Sequence, residues 1–405
     1  MPWKQVSAMD QREEFVRLAL LEGANRRELC RRFGISAEAG YKWLRRFSAG
    51  KDDGFADRSR RPLTSPLRTA SDVEQRILAV RAEHPAWGAR KIKAVLERDG
   101  HGMPACSTVH QVLKRHGLIL PEPSGEPARL RFEAEAPNDL WQMDFKGHSR
   151  LGDGSRLHPL TVIDDHSRYV PCLKALGGET GVEVKAALTR VFEVHGLPLR
   201  IFTDNGNPWG GSQGNRWTKF RVWLLKLGVE IIHSRPYHPQ SRGKNERFHR
   251  SMDEEVMSLR PLATMADAQK AFDHWRQVYN HQRPHAALGL KVPASRYRPS
   301  PRAMPRKLAE PLYEEGTLTR KVSPTKGYIS FKARHWKVPD AFYGERLAIR
   351  PLGKDGHYGV FFASHLITSI NLTEQQRVSH VSEQASTMSP VQTTSPAMMR
   401  IENVA

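Results

Sequence analysis

Three acids stand in settings that could support chemistry: Asp144, Asp204 and Glu246. Asp144 lies in an alternating run, with Trp141, Met143 and Phe145 set against Gln142, Asp144 and Lys146. That is the pattern of a half-buried strand with Asp144 on its polar face. Asp204 closes the apolar run from Leu199 to Thr203 and precedes a turn at Asn205 and Gly206. Glu246 lies early in a predicted helix over 243–259, where Phe248, Met252, Val256 and Leu259 share one face. Glu246, Arg250 and Asp253 fall on the other. Carboxylates from a strand centre, a strand end and a helix can converge on hard cations, which take oxygen ligands. Two Mg²⁺ ions (or Mn²⁺) about 3.5–4 Å apart would activate a water or a 3′-hydroxyl at a phosphodiester and stabilise the leaving oxygen. Each acid alone reads as an ordinary surface residue, so the set carries the inference.

Such chemistry needs a polyanion, and the charge agrees. The 405 residues, enough for two to four domains, carry a formal net charge of +20. Residues 1–130 contribute +8, 131–275 only +2 and 276–405 another +10. Basic flanks around a nearly balanced middle suggest a polyanion held by the ends around a region that needs its carboxylates. Hydrophobic content of 39% and a mean hydropathy of −0.58 suit folded cores, and no run approaches a membrane span. The first residues lack a signal peptide's apolar stretch. Cys30, Cys106 and Cys172 are far apart, without the spacing of a disulfide framework or a thiolate zinc site. A cytoplasmic, nucleoid-associated protein is expected.

The elements that position the acids can be read in order. Residues 1–50 read as a helix-turn-helix DNA-binding domain. Phe15, Leu18 and Ala19 mark one helix, Asn25 and Glu28 open a second, Gly34 ends it, and Ser36 caps a third bearing Trp43, Leu44 and Phe47. The third helix would offer Tyr41, Lys42, Arg45 and Arg46 to the major groove. Residues 51–70 form a basic linker whose Arg58, Arg60 and Arg61 suit either a minor-groove arm or a solvated tether. Residues 71–120 repeat the helical pattern as a second helix-turn-helix-like module, with Ser107 as a cap and Gly117 as a stop. Residues 121–138 are a second linker.

From 139 to 300 the pattern is α/β. A meander of three strands (near 141–145, 160–164 and 169–173) is followed by alternating helices and strands, the order of a ribonuclease-H-like mixed sheet. Residues 310–372 hold short β-like runs read as a small β-barrel, and 373–405 lack periodicity and read as a disordered tail.

Four ordered motifs give a resemblance: Trp141-Gln-Met-Asp144-Phe, Val162-Ile-Asp-Asp-His-Ser-Arg-Tyr169, Thr203-Asp-Asn-Gly206 and His238-Pro-Gln-Ser-Arg-Gly-Lys-Asn-Glu-Arg247. Together they resemble the retroviral-integrase-like (DDE) catalytic core of bacterial insertion-sequence transposases. The helical front end and the Tyr279-Asn-His-Gln-Arg-Pro-His285 run are similar to that group too. The resemblance implies that Asp144, Asp204 and Glu246 are the catalytic, metal-binding triad, with Asp164 structural or supporting. It also implies that Lys244, Arg247 and Arg250 contact the DNA backbone, and that the partners are double-stranded element ends, target DNA and at least a second copy of the chain. The implied activity is hydrolysis at the ends of a mobile element and transfer of the freed 3′-hydroxyl to target DNA. Asp204 and Glu246 are separated by 41 residues, more than in many relatives; the shorter spacing lands on Gln240, which is no carboxylate. The extra length is expected in a flexible loop over 207–215, and Glu230 is the other nearby acid but reads as the start of a strand. Asp253 stands where relatives often carry a basic residue. His281 and His285 are expected at the surface or on phosphate. The alternative function is a catalytically inactive helix-turn-helix DNA-binding regulator derived from a transposase.

Overall fold

The computed structural model describes residues 7–50, 55–57, 68–119, 130–204, 206, 208–210, 217–233, 243–373 and 400–403. The chain forms two compact units, Met1–Arg68 and Thr69–Ala405.

The first unit is a three-helix bundle: α1 (Ala8–Ala19), α2 (Arg26–Arg32) and α3 (Ala37–Ser48). Each start is capped by a side chain accepting a backbone N–H, Ser7 from Asp10, Asn25 from Glu28 and Ser36 from Ala39. Gly34, at φ +63°, takes the left-handed conformation that turns α2 into α3. Phe15, Val16, Ala19, Cys30, Trp43 and Leu44 form the core. Phe47, expected inside, is 46% exposed.

The second unit opens with α4 (Ser71–Glu83), α5 (Ala89–Arg98) and α6 (Cys106–Arg115) around Ile77, Trp87, Ile92, Val109 and Leu113. Ser107 does not cap α6: the helix starts one residue earlier, after Ala105, with no side-chain cap.

Next comes β1 (Leu130–Glu133), then the central sheet of β2 (Leu140–Phe145), β3 (Ser149–Arg150), β4 (Arg156–Asp164), β5 (Cys172–Leu176), β6 (Arg200–Thr203) and β7 (Glu230–His233). The long order is β4-β2-β6-β7, with β5 and β3 both on β4. β4 is antiparallel to β2 and β5, whereas β6 runs parallel to β2 and β7. This is the expected mixed sheet. Its third strand starts at Cys172 rather than Tyr169, because Val170 exchanges both backbone bonds with the Asn280 side chain and Pro171 has no N–H.

Helices cover both faces. On one side α7 (Gly181–His195) and α8 (Lys219–Lys226) pack over Trp141, Met143, Leu160 and Ile201. On the other, α9 (Gly243–Met252), a π-helical turn at Asp253–Met257 and α10 (Met265–His281) pack over Leu157, Ile163 and Leu173. The predicted helix over 243–259 therefore changes register midway, and Leu259 is 53% exposed. Val278 of α10 enters the core of α4–α6, and Arg98 donates to the Gln282 carbonyl at 3.1 Å, so that helical module is docked on the sheet domain.

The C-terminal part does not close into a barrel among the described residues. A sheet of β8 (Thr319–Lys321), β11 (Arg346–Pro351), β12 (His357–Phe362) and β13 (His365–Asn371) shares one core with a separate hairpin, β9 (Tyr328–Phe331) and β10 (Arg334–Lys337). Val222 of α8 completes that core, and Lys226 pairs with Glu345 at 3.0 Å. Most of the expected disordered tail lies outside the described residues. Four of its residues do not fit that expectation: β14 (Arg400–Asn403) pairs antiparallel with β1. Among the described residues no helix is long and apolar enough to cross a membrane.

Candidate active site

Backbone pairing brings two of the acids onto neighbouring strands. β2 and β6 are parallel, pairing Leu140 with Arg200, Trp141 with Ile201 and Gln142 with Phe202. The ladder stops there; Asp144 lies two residues further along β2, and Asp204 just beyond the end of β6, on neighbouring strands about 4.8 Å apart.

Helix α9 lies against the same strand. At its start Lys244 pairs with the buried Asp165, which also accepts from Gln142 Nε2 at 2.6 Å and from the Ala134 N–H at 2.7 Å. At its end Asp253 pairs with Lys146 at 2.7 Å. Between them, His249 Nε2 meets Thr161 Oγ1 at 3.0 Å, and Thr161 is the β4 residue paired with Asp144. Glu246, His249 and Asp253 follow at helical spacing along one flank of α9, and Glu246 is exposed. The structure thus pins Glu246's helix along β2 and β4 at three points, the middle one at the residue paired with Asp144. It does not draw Glu246 into one cluster with both aspartates: among the described residues no three His, Cys, Asp or Glu side chains form a metal-holding group.

Asp204 is fixed by its own turn. Its Oδ1 accepts from the Gly206 N–H at 3.0 Å and from Trp209 Nε1 at 2.5 Å. Trp209 is 1% exposed. The loop expected to be flexible over 207–215 is therefore anchored at that residue, although 207 and 211–215 lie outside the described residues. Asn205 and Gln240 lie outside them as well.

The remaining site candidates divide by what they touch. Lys244 is committed to Asp165, and burial holds its ammonium down at about 8. Arg247 and Arg250 are exposed on α9. In the first unit Tyr41, Lys42 and Arg45 are exposed, while Arg46 stacks over Trp43 at 4.8 Å and donates to the Ala56 carbonyl. Arg58, Arg60 and Arg61 lie outside the described residues. Asp164 is fully buried and accepts from Asn138 N–H, Ser167 N–H and Ser167 Oγ, a loop-building role. Glu230 is the exposed first residue of β7.

His285, expected at the surface, is 9% exposed, and its backbone N–H donates to the Lys291 carbonyl. Burial among cations pushes it down to about 3, and burial pushes His195 and His249 down to about 4. All three are neutral at pH 7. Each has a folded value below its unfolded one, so its stabilising effect is complete above about pH 6.5 and is lost as pH falls toward the folded value. Unfolding free energy of the second unit should hold steady above pH 6.5 and drop by several kcal/mol by pH 4.5, up to about 2.5 kcal/mol from each histidine. Urea titrations across that range test this, and a His285→Asn variant should show a shallower decline. An identical slope in the variant would remove His285 from the account.

Sequence reasoning passed over Asp165, His249 and Trp209. Asp165 had a signal, since it adjoins Asp164 in the Asp-Asp-His-Ser-Arg run. His249 sits three residues after Glu246. Trp209 had none beyond being a large aromatic in a polar loop.

Family models match along most of the chain: an integrase core domain over residues 134–239 and again over 227–293, a helix-turn-helix domain over 11–62, a homeodomain-like domain over 39–113, and the C-terminal domain of IS481 family transposases over 317–378. The insertion element IS407 31.7 kDa protein of Burkholderia multivorans is 29% identical over 238 residues, 55% of this chain and 81% of that protein. The insertion element IS476 39.2 kDa protein of Xanthomonas euvesicatoria is 30% identical over 42% of this chain and 47% of its own length. Transposase InsD for insertion element IS2 of Escherichia coli is 27% identical over 55% of this chain and 77% of its own length. Among solved structures, the HTLV-2 integrase catalytic core domain in complex with magnesium aligns over 41% of this chain and all of that chain, at 17% identity and a TM-score of 0.32. That likeness is too low to bear on function.

Proposed function

We propose that the chain acts as an insertion-sequence transposase, with the integrase-type core and helix-turn-helix modules whose family models it matches, and that its residues divide the work as follows. The proposal is supported by the position of Asp144 and Asp204, each two residues beyond the last paired residues of the parallel strands β2 and β6, with Glu246's helix packed along β2 and β4.

Asp144 and Asp204 would bind magnesium or manganese through carboxylate oxygens, the donors that hard cations take, and Glu246 would complete the set. Three carboxylates brought together repel one another unless a cation lies between them, which fits a third acid carried on a separate helix. One or two bound ions would supply Lewis-acid stabilisation of both the entering and the leaving oxygen of an in-line displacement. The protein's own share is positioning. The strand ends orient the two aspartates, and the anchored α9 sets the height of Glu246. Arg247 and Arg250 are exposed near it and would hold phosphates of the reacting strand. The bond broken joins the element's 3′ end to flanking DNA, with water as nucleophile; the freed 3′-hydroxyl then attacks a target phosphodiester and displaces a second 3′-hydroxyl. Both ends must react together, so at least two copies of the chain would assemble.

The test is incubation of the full chain with an end-bearing duplex and Mg²⁺ or Mn²⁺. Nicked and joined products are expected; binding with neither product would favour the inactive-regulator reading.

The exposed Tyr41, Lys42 and Arg45 of α3 would face the end sequence, with Arg46 serving the core as well. Lys42→Ala with Arg45→Ala should weaken binding and flatten the slope of log affinity against log salt by up to about two, if both groups meet phosphates. Fluorescence anisotropy over a salt series measures it. An unchanged affinity and slope would move the contact surface elsewhere.

A further inference from the structure

We infer that Trp209 is a positioning residue for Asp204: its indole N–H fixes the carboxylate in the orientation that binds the divalent ion. The inference rests on Asp204 being a metal ligand, as proposed above.

Four observations converge. Trp209 Nε1 donates to Asp204 Oδ1 at 2.5 Å, a hydrogen bond assisted by the carboxylate's charge. The same oxygen accepts from the Gly206 N–H, and Gly210 N–H closes the turn on the Gly206 carbonyl at 2.8 Å. With two donors on one oxygen, rotation of the carboxylate is blocked. The indole itself cannot swing: it is 1% exposed, stacks on Phe145 with centroids 5.3 Å apart and packs against Phe220. Phe145 directly follows Asp144, so one ring system braces the strand end of the first aspartate while holding the second. Finally, a Cβ on Gly206 would lie 3.2 Å from both Asp204 carboxylate oxygens, so the turn fits closely around this one orientation.

A tryptophan used only for packing would leave its N–H in the core or turned toward water. Here the polar handle is spent on a strand-end carboxylate. Partners of this kind typically set metal affinity by about 10–100-fold without touching the ion. The turn-rich stretch after Asp204 thus does more than lengthen the spacing to Glu246.

The experiment compares wild type, Trp209→Phe, Gly206→Ala and Asp204→Asn in the full chain. Mn²⁺ binding is measured by titration calorimetry without DNA, alongside melting temperature and end-DNA affinity. Trp209→Phe keeps a ring in the core but lacks the donor; it should weaken Mn²⁺ binding about tenfold and raise the metal concentration for half-maximal nicking equally, with end binding unchanged. Gly206→Ala crowds the carboxylate from a turn where the three nearest atoms to the new Cβ all belong to Asp204, so it should shift Mn²⁺ affinity in the same direction even if Trp209→Phe fails to fold. Wild-type Mn²⁺ affinity in a folded Trp209→Phe, or in Gly206→Ala, overturns the positioning role. Wild-type affinity in Asp204→Asn instead overturns the ligand assignment beneath it.

Discussion

Asp144→Asn, Asp204→Asn and Glu246→Gln are each expected to cut nicking and strand joining by about a thousandfold or more, with binding of the end duplex unchanged. Several kcal/mol of transition-state stabilisation rest on divalent ions, and each 1.36 kcal/mol is worth about tenfold in rate. Neutral amides keep the size of the side chains and remove the charge that holds the ions. The two aspartates lie two residues beyond the last paired residues of the parallel strands β2 and β6. For Glu246 the expectation depends on a helix pinned by Lys244–Asp165, His249–Thr161 and Asp253–Lys146. Glu230→Gln is the control and should retain activity, since that residue is the exposed start of an edge strand. Gel assays with labelled oligonucleotides read both steps. Activity within tenfold of wild type in any of the three variants would take that acid out of the metal site, and a dead Glu230→Gln would reopen the choice of third carboxylate.

The second large effect is on stability. Arg283→Ala should destabilise the second unit by about 3–5 kcal/mol, because it strands a buried carboxylate. Arg283 Nε bonds both oxygens of Glu255, at 2.9 and 3.2 Å, and a terminal nitrogen reaches Ser251 Oγ at 2.9 Å. Both side chains are under a tenth exposed. Trp275 Nε1 donates to the same glutamate at 2.9 Å, and Lys91 of α5 stands 3.9 Å from it. The π turn at Asp253–Met257 carries Glu255 in this cluster, so α9's continuation, α10's end and the docked helical module meet at one charge. A fall in melting temperature of roughly 5–10 °C is expected. Replacing the pair together, Arg283→Met with Glu255→Leu, should recover much of the loss, as apolar substitutes for buried ion pairs often do. A single variant within 1 kcal/mol of wild type would show the cluster to be solvated and unimportant.

This cluster also marks how far sequence could be read. The Tyr279–His285 run carried a family resemblance, but its work was invisible in one dimension. Asn280 stands in for a strand partner at Val170, Arg283 neutralises Glu255, and His285 is buried. Polar residues read as surface or phosphate contacts until the partners that satisfy them are known. The same reason explains Asp165 and Lys244, which meet across 79 positions of chain. The C-terminal strands were legible as short β-like runs, but whether they close depends on pairing between edges, which no local pattern encodes.

Local signals were enough for much else. Asn25, Gly34 and Ser36 mark the helix-turn-helix because capping and left-handed turns are properties of neighbouring residues. Alternation through Trp141–Phe145 set which residues of β2 enter the core under α7 and α8, though Gln142 on the other face is buried too rather than solvated, and the meander followed by alternating helices and strands set the order of the sheet. Sequence by itself therefore determined the elements, their order, the three acids as candidates and the basic flanks that call for DNA. Only the tertiary structure decided that β2 and β6 are parallel neighbours carrying two of the acids, that Trp209 is an anchor rather than part of a slack loop, and that the second helical module is docked on the sheet domain. Those facts depend on register between strands and on contacts between residues far apart in the chain, where side chains find partners that spacing alone cannot name.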